Sequence, residues 1–340
     1  MTPPISTPDA DADEAILLVE PDLPLIDSHH HLWDRPGDRY LLEALTADLA
    51  SGHLVLATVY MECGSGLHET GPAHLRPVGE VQFAASMAAQ AARGLPVPTR
   101  VCAGIVGAAD FSLGAAVDEV LDALALAGDG RLRGIRGSAA WDADALINPG
   151  GRPNAPRGLL LDKQFRAGFA RLAGRDLIYE AWQYFPQLSE LCDLADTFPQ
   201  VPIVVNHCGG LLGIGAYAAP DNFDHWKAQV AAVAQRPNTF MKLGGLARRR
   251  CGFDLETRAT PPTARELARL WRPYIATCVD LFGPERCLVG SNFPPDRVAG
   301  SYRTLWNALK LCVADGSQSE KETLFHRTAA RLYRLAPQSG

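Results

Sequence analysis

The stretch IDSHHHLWD, residues 26–34, places three of the chain's nine histidines in a row, behind an apolar run and two residues after an aspartate. Read from Leu23, the run LPLIDSHHH has the shape of a buried strand that ends in a polar tip. Seven further stretches repeat that shape: HLVLATVYMEC (53–63), TRVCAGIVGAAD (99–110), LRGIRGSAAWD (132–142), DLIYEAWQYF (176–185), PIVVNHCGG (202–210), TFMKLGGLA (239–247) and CLVGSNFPPD (287–296).

Between the runs lie segments suited to helices: 38–50, 79–94, 112–128 with Ser112 as a cap, 161–173, 186–198 with Pro186 at its start, 223–236, 263–283, 301–316 and 319–336. Pro273 is expected to kink or split the segment 263–283. Eight strands alternating with helices fit a closed parallel barrel, which removes both sheet edges, better than an open sheet. The doubly wound alternative often carries GxGxxG after its first strand, and no such glycine set follows here. The expected fold class is therefore α/β, a (β/α)8 TIM barrel. Its expected organisation is an N-terminal arm at 1–20 and a single barrel domain over 21–340. The Gly/Pro-rich stretch 147–158 and the stretch 248–262 read as long loops able to cover a site.

Composition narrows the classes of function. A net charge of −6 with 21% charged residues offers no basic stripe, so nucleic acid is not an expected partner; Arg248, Arg249 and Arg250 read as a solvated loop. No stretch approaches the roughly 18 uninterrupted apolar residues of a membrane span. The acidic, Pro-rich N-terminus lacks the basic-then-apolar pattern of a secretory signal, and the eight cysteines form no CxxC pair. A cytoplasmic protein acting on a small molecule is expected, with homo-oligomerisation left open.

The polar residues gather at one end. Asp27, His29 and His31, Glu62, Arg136, Glu180 with Trp182 and Gln183, His207, Lys242, and Asn292 with Asp296 all fall near the ends of apolar runs. In a barrel that end carries the active site. Residues two apart on a strand share a side, about 6.6 Å apart, so Asp27, His29 and His31 are expected to face the barrel together, with His30 a bystander. His207 across the mouth makes a third imidazole, and three histidines plus water are a normal catalytic zinc set. Arg136 and Lys242 are candidates for holding a substrate carboxylate, and Glu180 for a ligand, a base or a partner of Lys242. Trp33, Trp182 and Tyr184 are candidate pocket walls, against the commoner reading of strand aromatics as core. Glu62 is a further candidate. Gly209, Gly210, Gly244 and Gly245 read as tight turns or points of close backbone approach.

IDSHHHLWD, VVNHCGG, FMKLGGL and GPERCLVGSNFPPD, in that order, resemble the amidohydrolase-2 group of the amidohydrolase superfamily over roughly residues 23–336. The group includes sugar-acid lactonases, pyrone-dicarboxylate hydrolases and, more distantly, decarboxylases. The resemblance implies a distorted barrel with His29, His31 and His207 at its site, with or without one Zn²⁺ (or other divalent metal) and no organic cofactor. It also implies an aspartate at the end of strand eight that takes the proton from the attacking water. Asn292 stands there instead, and an amide is no general base. Asp296, Asp27, Glu62, Glu180 or a metal-free histidine remain as acceptors. The expected activity is hydrolysis of a sugar-acid or carboxylated lactone. A metal-dependent decarboxylase and a non-catalytic ligand-binding barrel are the alternatives.

Overall fold

The computed structural model describes residues 18–148 and 154–335. Most of the expected N-terminal arm, and the middle of the expected loop at 147–158, lie outside the described residues.

All eight apolar runs become strands: β1 (Leu25–His30), β2 (Val55–Met61), β3 (Arg100–Ala108), β4 (Leu132–Ser138), β5 (Ile178–Trp182), β6 (Ile203–Val205), β7 (Thr239–Leu243) and β8 (Cys287–Val289). They form one 8-stranded sheet in chain order, each neighbour parallel. The seam between β8 and β1 is closed just past the end of β8. There Asn292 N donates to His29 O at 2.7 Å and His31 N to Phe293 O at 2.8 Å. Side chains complete it, since Ser28 Oγ donates to Val289 O at 2.8 Å. The molecule is a (β/α)8 barrel.

The main helices that follow the strands are α1 (Leu42–Leu49), α2 (Pro77–Ala91), α3 (Val117–Ala127), α4 (Lys163–Phe169), α5 (Leu188–Thr197), α6 (Asn222–Ala234), α7 (Ala264–Phe282) and α8 (Tyr302–Cys312). A short two-stranded ribbon, Trp33–Arg35 against Asp38–Tyr40, precedes α1, where the sequence predicts helix from residue 38. The turn before α3 is capped by Asp110, whose carboxylate accepts from Ser112 N, rather than by Ser112. A capping box of Thr263 and Glu266 opens α7, which runs unbroken through Pro273. Pro273 is exposed, so water can take the carbonyl whose partner N–H is missing.

Two apolar layers hold the barrel. Alternate strand residues such as Leu25, Ile105, Ile135, Tyr179, Val205 and Leu243 pack outward against the helices. Ile26, Ala57, Val59, Val106, Ile178, Val204 and Leu288 pack inward, together with Ala329, Leu332, Tyr333 and Leu335 from the last helical segment. That segment plugs the barrel at the end opposite the polar tips. No described helix is long and apolar enough to cross a membrane.

Candidate active site

The three histidines reach one place because β1 breaks its own period. Asp27 pairs with Thr58, but His30 pairs with Tyr60, so three steps on β1 match two on β2. The extra residue reverses the phase of the strand. Asp27 therefore does not share a side with His29 and His31, as strict alternation had it. Its carboxylate accepts from Ser291 N at 2.8 Å, Ser291 Oγ at 2.6 Å and Tyr302 Oη at 3.0 Å, fastening the seam to α8. Burial pushes the carboxyl's pKa up, and the hydrogen bonds from Ser291 oppose that shift. His30 packs outward, edge to face with Tyr60 at 6.1 Å.

His29 and His31 face the barrel axis, with ring centroids 5.0 Å apart. The His207 ring lies 4.5 Å from that of His29, so residues from β1 and from the tip of β6 do converge. His207 takes φ 55°, and a Cβ on Gly245 (φ 69°) would overlap its Nδ1. The β7 tip thus approaches as bare backbone, the close approach that Gly244 and Gly245 suggested. Burial drives the pKa of both His29 and His207 well below the ordinary imidazole value. His31 falls to about 3, through burial first and the Arg136 charge second. All three are neutral near pH 7.

Tautomers follow from the partners. His31 Nδ1 stands 2.8 Å from Met61 O, an acceptor only, so Nδ1 carries the proton and Nε2 keeps its lone pair. His29 Nε2 stands 3.2 Å from Arg136 Nη1, a donor only, so Nε2 accepts. Arg136 in turn donates through Nε to Glu62 Oε1 at 2.6 Å, and both side chains are 8% exposed. Arg133, the other arginine of β4, faces away and bonds Gly130 O.

Asn292, at φ 51°, is turned by its neighbour four residues on. Its Nδ2 donates to Asp296 Oδ1 at 2.7 Å, which aims Oδ1 at His31 Nε2, 3.4 Å away. Asp296 also accepts from Ala247 N, and burial raises its pKa to about 6. Lys242 and Glu180 do not reach the mouth. Lys242 Nζ donates to Glu180 Oε2 at 2.7 Å and to Ser28 O at 3.1 Å, and both side chains are fully buried. Asn206 Nδ2 and Tyr333 Oη donate to the same carboxylate. Burial pushes Lys242 down and Glu180 holds it up. The sequence could not choose between mouth and partner for these two; the structure makes them the floor.

Above the histidines opens a cavity of about 660 Å³ whose walls include Trp33, Trp182 and Tyr184. Trp33 stacks near His31 at 6.2 Å, and Trp182 meets His207 edge-on at 5.1 Å. Arg35, Arg248 and Arg250 also line it, none of which the sequence singled out for a site. Their position in loops directly after β1 and β7 was the available sign, because such loops build the mouth of a barrel.

The amidohydrolase family model matches residues 26–335, and the chain belongs to that family. An uncharacterized protein of Sinorhizobium fredii is 31% identical over 339 residues, covering 92% of this chain and 99% of its own. The L-fucono-1,5-lactonase of Burkholderia multivorans is 25% identical, covering 91% and 96%. A crystal structure of an amidohydrolase from Burkholderia multivorans, with bound zinc, superposes with a TM-score of 0.69 at 23% identity, covering 92% of this chain and 99% of that one. Among the described residues, no group of three or more His, Cys, Asp and Glu is arranged to hold a metal ion.

Proposed function

We propose that this amidohydrolase hydrolyses a small cyclic ester at the C-terminal mouth of its barrel, with His31 as the proton acceptor. The observation that carries this reading is the setting of His31. Met61 O fixes its proton on Nδ1, its Nε2 lone pair is free at the floor of the cavity, and Asn292 Oδ1 waits 3.4 Å away. In the ground state that amide oxygen gains nothing from a bare lone pair. Once Nε2 takes a proton from the attacking water, both imidazolium N–H groups have an acceptor. An aspartate is then not needed at position 292.

The water oxygen bonds to the ester carbon, its proton moves to His31 Nε2, and the carbonyl electrons move to oxygen. Arg136, locked by Glu62 and His29, supplies fixed positive charge and N–H donors for that oxyanion. Collapse re-forms the carbonyl and expels the ring oxygen, which takes the proton back from His31. The product is an open-chain hydroxy acid. His207 offers a second neutral imidazole beside the reacting atoms, and Trp33, Trp182 and Tyr184 wall the ring. Asp296 orients Asn292. Asp27, Glu180 and Lys242 hold the scaffold.

The zinc that three histidines suggest is poorly served by these donors. The His29 Nε2 lone pair already accepts from Arg136, so a cation held there would compete with that bond and stand beside the guanidinium charge. No step above passes through a metal.

The test is acid release from a panel of five- and six-membered lactones, before and after exhaustive chelation. Turnover that keeps at least about half its rate after chelation is expected. Loss on chelation with recovery on adding Zn²⁺ would overturn the metal-free mechanism, and inactivity on every lactone would overturn the hydrolase.

A further inference from the structure

The run Arg248, Arg249, Arg250 is divided by its backbone. Arg249–Cys251 forms one helical turn, which leaves Arg249 exposed while Arg248 and Arg250 line the cavity. Arg250 lies over the aromatic ledge, with its Cζ 5.4 Å from the Trp182 ring centre and 5.8 Å from that of Tyr184. The same Trp182 meets His207. Trp182 therefore touches both the Arg250 guanidinium and the His207 imidazole.

Its backbone is fixed. Gly213 N donates to Arg250 O at 2.7 Å, and a Cβ on either Gly213 or Gly252 would overlap the backbone of the other's loop. The loops after β6 and β7 are locked face to face at this point.

The charges of the cavity do not balance. Arg136 is matched by Glu62, and Arg297 by Asp38 at 2.8 Å. Among the described residues, Arg35 bonds the Cys63 carbonyl and stacks on Trp33, Arg248 bonds the Pro295 carbonyl, and Arg250 lies on aromatic faces; the buried Asp296 carboxyl feels the charges of both Arg248 and Arg250. A chain of net charge −6 thus gathers an excess of positive charge at this mouth, where five arginines, Arg35, Arg136, Arg248, Arg250 and Arg297, face three acids, Asp38, Glu62 and Asp296, among the described residues. A guanidinium stacked on a ring keeps its edge free, and two parallel N–H groups on that edge match a carboxylate.

We infer that Arg250, supported by Arg248, binds a carboxylate borne by the substrate at a distance from the ester carbon that reacts. The substrate class is then an anionic lactone, and a neutral sugar lactone would leave this charge unanswered. The inference rests on the hydrolase reading only for its kinetic form, so it is tested first by binding. The probe is a ring ketone that cannot be hydrolysed, cyclopentanone carboxylate, titrated calorimetrically beside its neutral carboxamide.

The native protein is expected to bind the carboxylate at least about tenfold tighter, the worth of one charge-assisted hydrogen bond. Arg250→Gln is expected to bring that ratio below about threefold, and Arg249→Gln, on the exposed residue, to leave it in place. Equal affinities in the native protein overturn the inference, as does a ratio indifferent to Arg250→Gln or equally sensitive to Arg249→Gln. Should Arg250→Gln not fold, Arg250→Lys serves: it keeps the charge, loses the fork and should lower the ratio severalfold, and an unchanged ratio overturns the inference. Kinetics on γ-butyrolactone carboxylate and its carboxamide then separate the two readings. Binding preference without hydrolysis sinks the hydrolase and leaves the anion site. Hydrolysis of both lactones at equal kcat/KM does the reverse.

Discussion

Asn292 turns on a single hydrogen bond. Asp296 takes its Nδ2, and only then does Oδ1 point at His31. Asp296→Ala frees the amide to rotate and is expected to lower kcat about tenfold while KM stays within about threefold, as seen in steady-state kinetics. The same carboxyl has a stability signature. Its folded pKa, about 6, lies above the ordinary carboxylate value because it is buried. It therefore favours the fold when protonated, below about pH 4, and that contribution is lost as pH rises through 6. By linkage the loss is on the order of 2–3 kcal/mol. Relative to the native protein, Asp296→Ala should gain stability between pH 4.5 and 7 in urea denaturation; no change with pH would contradict the assignment. The pH–rate profile of the native enzyme discriminates further. With His31 at about 3, kcat/KM should stay level from pH 8 down to about 5. A limb near 6 would instead put Asp296 in control. At this scale the sequence named many residues of the candidate site but could not say which polar residues pair with one another. Glu180 and Lys242 sit on different strands, and only the register of β5 through β7 makes them partners.

Elements carry the geometry that single residues cannot. The apolar runs marked every strand, because burial on both faces demands continuous hydrophobic sequence in a parallel sheet. The bulge in β1 left no such mark. A period of two extrapolated from His29 back to Asp27 assumes an unbroken register, and the step from Asp27 to His30 breaks it. The arginine run carried two readings, a solvated loop and the start of a loop able to cover a site, because charge alone cannot tell one from the other; Arg249 fits the first, Arg248 and Arg250 the second. The β7 tip offers a direct test. Gly245→Ala puts a methyl where His207 Nδ1 lies, at a backbone φ that disfavours side chains. It is expected to cost about 1–3 kcal/mol in thermal or chemical unfolding and to cut kcat at least about a hundredfold. A variant with native activity would mean that His207 does not need its present position.

Across the whole molecule, the plug and the site floor are one structure. Tyr333 reaches from the last helical segment into the barrel to donate to Glu180, and its ring lies 5.6 Å from Lys242 Nζ. Lys242 then holds the carbonyl of Ser28, the residue before His29. The sequence showed a helix at 319–336 but nothing of its insertion, since the apolar faces of barrel and plug are complementary only once both have formed. Tyr333→Phe removes a donor from a buried carboxylate and is expected to destabilise the fold by about 1–3 kcal/mol in urea denaturation. An unchanged midpoint would show that Glu180 is satisfied without it.

One experiment goes to the chemistry itself: hydrolysis of a carboxylated lactone in ¹⁸O-water by chelator-treated protein, native against His31→Gln. One ¹⁸O atom in the new carboxylate is expected, with a rate at least about a thousandfold lower in the variant. Release of CO2 without ¹⁸O uptake, or a variant that keeps the native rate, would contradict water attack with His31 as its proton acceptor.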